Sequence, residues 1–257
     1  MNKIKFKNIK KNKKPIVCLT AYSKVTAEIA DKHCDIVLVG DSLGMTLYGF
    51  KSTKEVKIET MINHAKTVKK FATKSLIVFD MPYKTYTNKF KALKNAKTVI
   101  SKTQCDAVKL EGGRKIVNII KHLVKNKIPV MGHIGLLPQF VNKFKTQGKK
   151  SNEKKNILKD AIALSEAGTF AVVVECVIES LAKKITNSVP IPTIGIGSSK
   201  YCDGQILVID DILGLSDFSP KFVKRYSNLK KLINSSIKNS VKDVKKKRFP
   251  TAKNTYK

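Results

Sequence analysis

Acidic residues are few in this 257-residue chain: 19 Asp and Glu stand against 51 Lys and Arg, a formal charge of +32. Carboxylates this scarce draw the eye wherever they close an apolar run. Cysteine is also sparse. Cys18, Cys34, Cys105, Cys176 and Cys202 are odd in number and form no C-x-x-C pair, so neither a disulfide framework nor a zinc knuckle is implied. Cys176 follows a glutamate at a strand end and reads as a structural thiol. No apolar run approaches 18 residues, and the polar, lysine-rich N-terminus has no apolar segment behind it, so no membrane span or secretory leader is expected. A soluble, cytoplasmic protein without a membrane partner is the expectation. Arginine, the better reader of bases and phosphates, is limited to Arg114, Arg225 and Arg248. No RNA-recognition signature, zinc finger or helix-turn-helix spacing accompanies the charge. The lysines are spread over nearly every expected helix and both tails, a pattern of compositional drift toward Lys, Asn and Ile. No nucleic-acid partner is expected.

What is present is a hydrophobic fraction of 42%, enough for a real core, arranged as short apolar runs alternating with helical stripes. Strands are expected at 15–20, 35–39, 75–79, 107–111, 129–135, 170–175, 191–197 and 205–209. Helices are expected at 26–33, 58–68, 90–100, 116–124, 157–167 and 181–185. Eight such units with no chain left for a second domain argue for one (β/α)8 TIM barrel over residues 1–257, with a basic lead-in at 1–14 and a basic helical tail from about 219 to 257. A doubly wound open sheet would need a glycine fingerprint after the first strand, where Thr20-Ala21-Tyr22 stands instead.

In a barrel, chemistry collects where strands end. Successive strand ends carry Asp41-Ser42, Asp80, Lys109 with Glu111, His133, Glu175 and Gly197. Each has a bland reading alone: an aspartate forms a turn, a histidine satisfies a core, Lys109 and Glu111 form a salt bridge. Two apart on a strand, however, Lys109 and Glu111 share one face while Val108 and Leu110 point away, and a charged face inside a barrel is costly unless it serves a site. Asp41, Asp80 and Glu111 are hard oxygen donors without a His or Cys cluster, which suits Mg²⁺ with retained waters rather than zinc. Such an ion has open positions for a 2-oxo acid and stabilises the enolate left by proton loss beside the carbonyl. Lys109 and Ser42 are placed to hold a substrate carboxylate. Glu175 closes the apolar run Val172-Val173-Val174, a setting that suits a general base.

These residues sit in motifs that resemble the ketopantoate hydroxymethyltransferase family: VGDSLGM (39–45), DMP (80–82), AVKLEGG (107–113), VMGHIGLLPQ (130–139), VVVECV (172–177), IPTIGIG (191–197), DGQILVIDDILGL (203–215) and PKFVKRY (220–226). The match runs in order from about Pro15 to Pro250. The resemblance implies a barrel of the phosphoenolpyruvate/pyruvate type assembled as a homodecamer. It also implies transfer of the one-carbon unit of 5,10-methylenetetrahydrofolate to 3-methyl-2-oxobutanoate, giving 2-dehydropantoate and tetrahydrofolate. By resemblance Asp41, Asp80 and Glu111 are the Mg²⁺ site, and Asp41, Ser42, Asp80 and Lys109 bind the oxo acid. Glu175 takes the C3 proton, and His133 is a substrate-proximal hydrogen-bonding group. The chain departs from the family at Ser23, at Ile178, and at Ser198-Ser199-Lys200, where the change bears on the loop after strand seven and leaves the metal site alone.

The nearest rival is a Mg²⁺-dependent lyase or mutase of the isocitrate lyase or phosphonopyruvate type, whose cysteine-bearing loop the sequence lacks. A phosphate site at Gly195-Ile196-Gly197 would leave Asp41, Asp80 and Glu111 without a role. A nucleic-acid-binding protein would bind in a steeply salt-dependent way, indifferent to Asp41.

Overall fold

A computed structural model describes residues 14–141, 144–217 and 220–256. The lead-in read at 1–14 lies outside them apart from Lys14, as does Ser219 at the start of the expected tail. The described residues fall into two compact units, through Ile209 and from Asp210 onward.

The first unit is a closed barrel of eight parallel strands in sequence order. Its elements are β1 (Ile16–Thr20), α1 (Lys24–His33), β2 (Ile36–Val39), α2 (Leu43–Thr46), α3 (Ile58–Phe71), β3 (Leu76–Asp80), α4 (Lys89–Thr103), β4 (Ala107–Glu111), α5 (Val117–Lys125), β5 (Val130–Gly135), α6 (Ser151–Glu166), β6 (Ala171–Glu175), α7 (Glu179–Ser188), β7 (Thr193–Ile196) and β8 (Gly204–Leu207). The expected (β/α)8 architecture is therefore present. The segment between β2 and α3 contains α2 and a turn of 3-10 helix at Thr53–Glu55, and α6 begins six residues before the apolar stripe that announced it. Beginning at Ile209, α8 (Ile209–Leu213) is followed by α9 (Leu229–Lys245), a helix that starts about ten residues into the expected tail.

Two apolar layers follow from the period-2 alternation of strand side chains. Ile16, Cys18, Ile36, Leu38, Leu76, Val78, Ala107, Met131, Ala171, Val173, Ile194 and Ile206 pack inside the barrel. The alternate residues, among them Val37, Val39, Ile77, Phe79, Val108, Leu110, Val172 and Val174, face the helices. The inner layer plugs the barrel and leaves only its upper end for polar groups.

The scarce aspartates close the lower end. Asp35, just before β2, accepts from the Val17 N–H of β1 at 2.9 Å. Asp106, before β4, accepts from the Ile77 N–H of β3 at 2.9 Å. Asp203, before β8, accepts from the Thr193 N–H of β7 at 2.8 Å. Each satisfies a strand-start donor that the ladder leaves over.

Two departures from the family pattern are satisfied locally. Ser23 caps α1 in a capping box with Thr26, the Ser23 N–H donating to Thr26 Oγ1 at 3.1 Å. Ser199 accepts from the Tyr201 N–H at 3.1 Å, so the loop after β7 closes on itself.

Asp31 of α1 gathers the turn between α3 and β3, accepting from the N–H groups of Thr73 (2.9 Å), Lys74 (3.0 Å) and Ser75 (2.7 Å). Burial works against its charge, but these donors outweigh it and hold its pKa below the usual carboxylate value. A depressed folded-state pKa means stability that is present above the unfolded value and lost as pH falls through the folded one. Asp31→Ala should therefore cost about 2 kcal/mol near neutrality, the worth of charge-assisted hydrogen bonds. The difference from wild type should shrink in urea melts run below about pH 4, where the unfolded carboxyl protonates.

Candidate active site

Above the apolar plug the inward-facing side chains turn ionisable, and the strand register decides which of them meet. Asp80 of β3 pairs with Lys109 of β4, and Glu111 of β4 pairs with His133 of β5. Lys109 Nζ accordingly lies 2.9 Å from both Asp80 carboxylate oxygens and 3.4 Å from Glu111 Oε1. His133 Nδ1 is 3.3 Å from Glu111 Oε1, and Nε2 is 3.2 Å from Glu175 Oε2 at the end of β6. Neither ring nitrogen has a partner aligned for a hydrogen bond, so these two contacts are chiefly electrostatic. The result is a row of alternating sign across four adjacent strands: Glu175, His133, Glu111, Lys109, Asp80.

Asp41 joins the row from β2 by way of the loop at Gly40, and it has no cation in contact. Its Oδ2 accepts from Gln139 Nε2 at 2.9 Å. Among the described residues Oδ1 accepts nothing. Ser42 follows at the start of α2, and its hydroxyl makes no capping bond. All seven predicted residues thus stand at the barrel's upper end, five of them in direct contact. Asp80, Lys109, Glu111 and His133 are each under 5% exposed, while the Glu175 side chain, at 12%, keeps an opening to the cleft. A cavity of about 240 Å³ lined by Met45, Thr53, Pro138, Val141 and Phe144, with Lys51 and Ser52, lies between the loops that follow β2 and β5.

Burial raises the Asp41 pKa well above the usual carboxylate value, and the neighbouring charges of Asp80 and Glu111 push it further. Burial also raises Asp80, against the pull of Lys109. Glu111 goes the other way: burial opposes its charge, but Lys109 and His133 outweigh burial and hold its pKa low. For His133, burial is likewise overcome by Glu111 and Glu175, and the imidazole is pushed up to about 9, leaving it cationic at neutrality. Four carboxylates therefore face two cations, and the uncompensated charge lies at the Asp41–Asp80 end. One divalent cation would neutralise it. Among the described residues no three His, Cys, Asp or Glu side chains are arranged to grip an ion directly. The donor set therefore fits a hard cation that keeps several waters, as Mg²⁺ does, and does not fit a closed zinc site.

Two residues of the site carried no sequence signal of their own. Gln139, fully buried, reaches in from the loop after β5, and Tyr86 lies in the segment before α4. Gln139 N–H donates to Glu111 Oε2 at 3.1 Å, and its Nε2 also donates to the Met81 carbonyl at 2.9 Å. Gln139 stands inside the GHIGLLPQ motif, but nothing in a loop glutamine announces partners up to 98 residues away. Cys176 has a left-handed backbone (φ 51°), and burial pushes its thiol up to about 12, far from a nucleophilic thiolate.

The profile of the ketopantoate hydroxymethyltransferase family matches residues 1–252. A 3-methyl-2-oxobutanoate hydroxymethyltransferase of Pelagibacter ubique is 57% identical over 247 residues, covering 96% of each chain. One from Anaplasma marginale (strain Florida) is 49% identical over 250 residues, covering 96% of this chain and 90% of its own. Among solved structures, 2,3-dimethylmalate lyase, a phosphoenolpyruvate mutase/isocitrate lyase superfamily member, superposes with a TM-score of 0.64 at 11% identity, over 97% of this chain and 91% of its own. A phosphonopyruvate hydrolase crystallised with oxalate and Mg²⁺ gives 0.63 at 8% identity, over 97% and 92%. At these identities the two structures speak to the fold.

Lys109 carries the charge compensation of the row. Lys109→Met leaves Asp80 and Glu111 buried without their shared cation, and it should destabilise the protein by about 3–5 kcal/mol in denaturant melts at neutral pH. Lowering the pH toward 5 should recover part of that loss as the stranded carboxylates take up protons.

Proposed function

The chain belongs to the ketopantoate hydroxymethyltransferase family, and from that membership we propose how its barrel mouth performs the reaction of 3-methyl-2-oxobutanoate hydroxymethyltransferase. The enzyme transfers a one-carbon unit from 5,10-methylenetetrahydrofolate to 3-methyl-2-oxobutanoate, yielding 2-dehydropantoate and tetrahydrofolate. The observation that carries the residue assignments is the alternating row with its excess negative charge at Asp41 and Asp80.

Asp41, Asp80 and Glu111 would hold Mg²⁺, directly through one or two carboxylates and otherwise through water. Bound there, the ion supplies Lewis-acid polarisation of the oxo acid's carbonyl, which acidifies the neighbouring C3–H. The protein's own groups do the rest. Lys109 stays charged because Asp80 and Glu111 flank it, and with the free hydroxyl of Ser42 it offers the substrate carboxylate a cation and a donor. Glu175 Oε2 faces His133 Nε2, while Oε1 accepts nothing among the described residues and is the atom that takes the C3 proton. The cationic His133 ties this base to Glu111, so base and metal site are held on one rigid stretch of sheet. Water hydrolyses the folate's methylene bridge, breaking both of its C–N bonds to give formaldehyde and tetrahydrofolate. The carbanionic C3 adds to the formaldehyde carbon, and the resulting alkoxide takes up the proton held by Glu175.

We also infer self-association, in keeping with the decamer that the resemblance implies. Helix α9 buries none of its residues, yet Leu232, Ile233, Ile237, Val241 and Val244 are about half exposed along it. An apolar stripe of this size on a helix calls for a partner surface. All five cysteines are free, as suits a reducing cytoplasm. No described helix is long and apolar enough to cross a membrane.

Two outcomes are expected. In D₂O with Mg²⁺ and no folate, 3-methyl-2-oxobutanoate should lose its C3 proton signal in NMR. Glu175→Gln should abolish this exchange, a loss of about 10²–10⁴-fold in rate. Exchange that persists unchanged in the variant would assign the base elsewhere. In sedimentation equilibrium the wild-type mass should be a multiple of 28.6 kDa, and Ile237→Glu should lower it. A wild-type mass of one chain would contradict self-association.

A further inference from the structure

The hydrogen-bond directions around Gln139 are fixed by what its partners can do. The Glu111 N–H donates to Tyr86 Oη at 3.3 Å, so the phenol's own hydrogen must go elsewhere. It can reach Gln139 Oε1 at 2.5 Å or the Glu111 carbonyl at 3.4 Å, and the shorter contact wins. Oε1 of Gln139 is therefore the acceptor, which turns the amide nitrogen toward Asp41 Oδ2 and the Met81 carbonyl, both 2.9 Å away and both acceptors only. The backbone N–H of the same residue takes Glu111 Oε2. One residue thus pins one oxygen of Asp41 and one of Glu111, carboxylates that come from strands two apart. Among the described residues Asp41 Oδ1 is left without a hydrogen bond.

We propose that Gln139, with its amide oriented by Tyr86, is a positioning residue that sets the rotamers and separation of the Asp41 and Glu111 carboxylates for the divalent cation. This rests on the assignment of those carboxylates to the metal site. The Gln139 amide is engaged by Asp41, Met81 and Tyr86, so it acts through those partners. Its part is to hold two ligands whose mutual repulsion would otherwise swing them apart.

The test measures binding of Mn²⁺ alone to the full-length protein, by the EPR signal of free Mn²⁺, for wild type, Gln139→Met, Tyr86→Phe and Asp41→Asn. Gln139→Met keeps an unbranched chain of similar length but has no amide, and it should weaken Mn²⁺ binding by about 10–100-fold. Excess Mg²⁺ should restore much of its kcat, a rescue that a merely structural defect would not show. Tyr86→Phe frees the amide to turn and should weaken binding about fivefold, the worth of one neutral hydrogen bond. If Gln139→Met does not fold, Tyr86→Phe decides alone: weakened affinity supports the proposal and unchanged affinity overturns it. Wild-type affinity in both variants, alongside loss in Asp41→Asn, overturns the positioning role and leaves the metal assignment standing. Wild-type affinity in Asp41→Asn overturns the metal assignment, and the proposal falls with it.

Discussion

The rest of the structure depends on keeping ionised carboxylates out of water. An isolated carboxylate in an apolar interior is prohibitively costly, and even a buried ion pair recovers its desolvation only when its geometry and hydrogen bonds are good. The barrel meets this cost by alternating sign along the row from Glu175 to Asp80, so that each interior charge touches an opposite one. Asp41 is the exception. It receives an amide and no cation, and burial with two neighbouring carboxylates pushes its pKa up. Four carboxylates against two cations leave two negative charges over, which one divalent cation would balance.

The row exists because the strands are parallel and fixed in register. Asp80 opposite Lys109 and Glu111 opposite His133 are consequences of pairing, and Glu175 reaches His133 from the next strand over. A slip of one residue in β4 would turn Val108 and Leu110 inward and send both charges into the helix layer. The apolar inner and outer faces therefore specify the geometry of the row as firmly as the charged residues do. Backbone contacts add precision at Glu175. A Cβ on Gly135 would lie 2.3 Å from the Glu175 carbonyl oxygen, so that close approach requires glycine. The same oxygen accepts from the Leu136 N–H at 2.9 Å, and Cys176 N–H is tied to the Ile196 carbonyl at 2.8 Å.

What could be read in the sequence was what is local. Period-2 alternation placed Lys109 and Glu111 on one face, and apolar runs ending in Asp80, His133 and Glu175 marked strand ends, because side-chain direction in a strand depends only on position along it. The eight units likewise followed from short-range patterning. Helix starts were less legible: α6 opens with a polar turn, Ser151 to Asn156, that shows no stripe, and α9 begins only at Leu229, after a non-helical stretch from Pro220 to Asn228. Gln139 and Tyr86 were invisible for a different reason. Their partners lie between 25 and 98 residues away, and neither residue type is unusual where it stands. The motifs that resemble the family enclosed Gln139 without giving it a role, which only the hydrogen-bond directions supply.

The lysine excess takes on a different meaning beside the fate of the acids. Only 19 Asp and Glu stand against 51 Lys and Arg. Several of these acids have identifiable tasks: Asp35, Asp106 and Asp203 each satisfy a strand-start N–H, Asp31 gathers three donors in one turn, and Asp41, Asp80, Glu111 and Glu175 build the site. The lysines are less tied. Several lie over aromatic rings, as Lys183 does over Tyr201 at 4.3 Å, which spreads their stems over apolar surface and keeps the charge in water. Among the described residues Lys109 is the only buried lysine, and the carboxylates around it outnumber the cations.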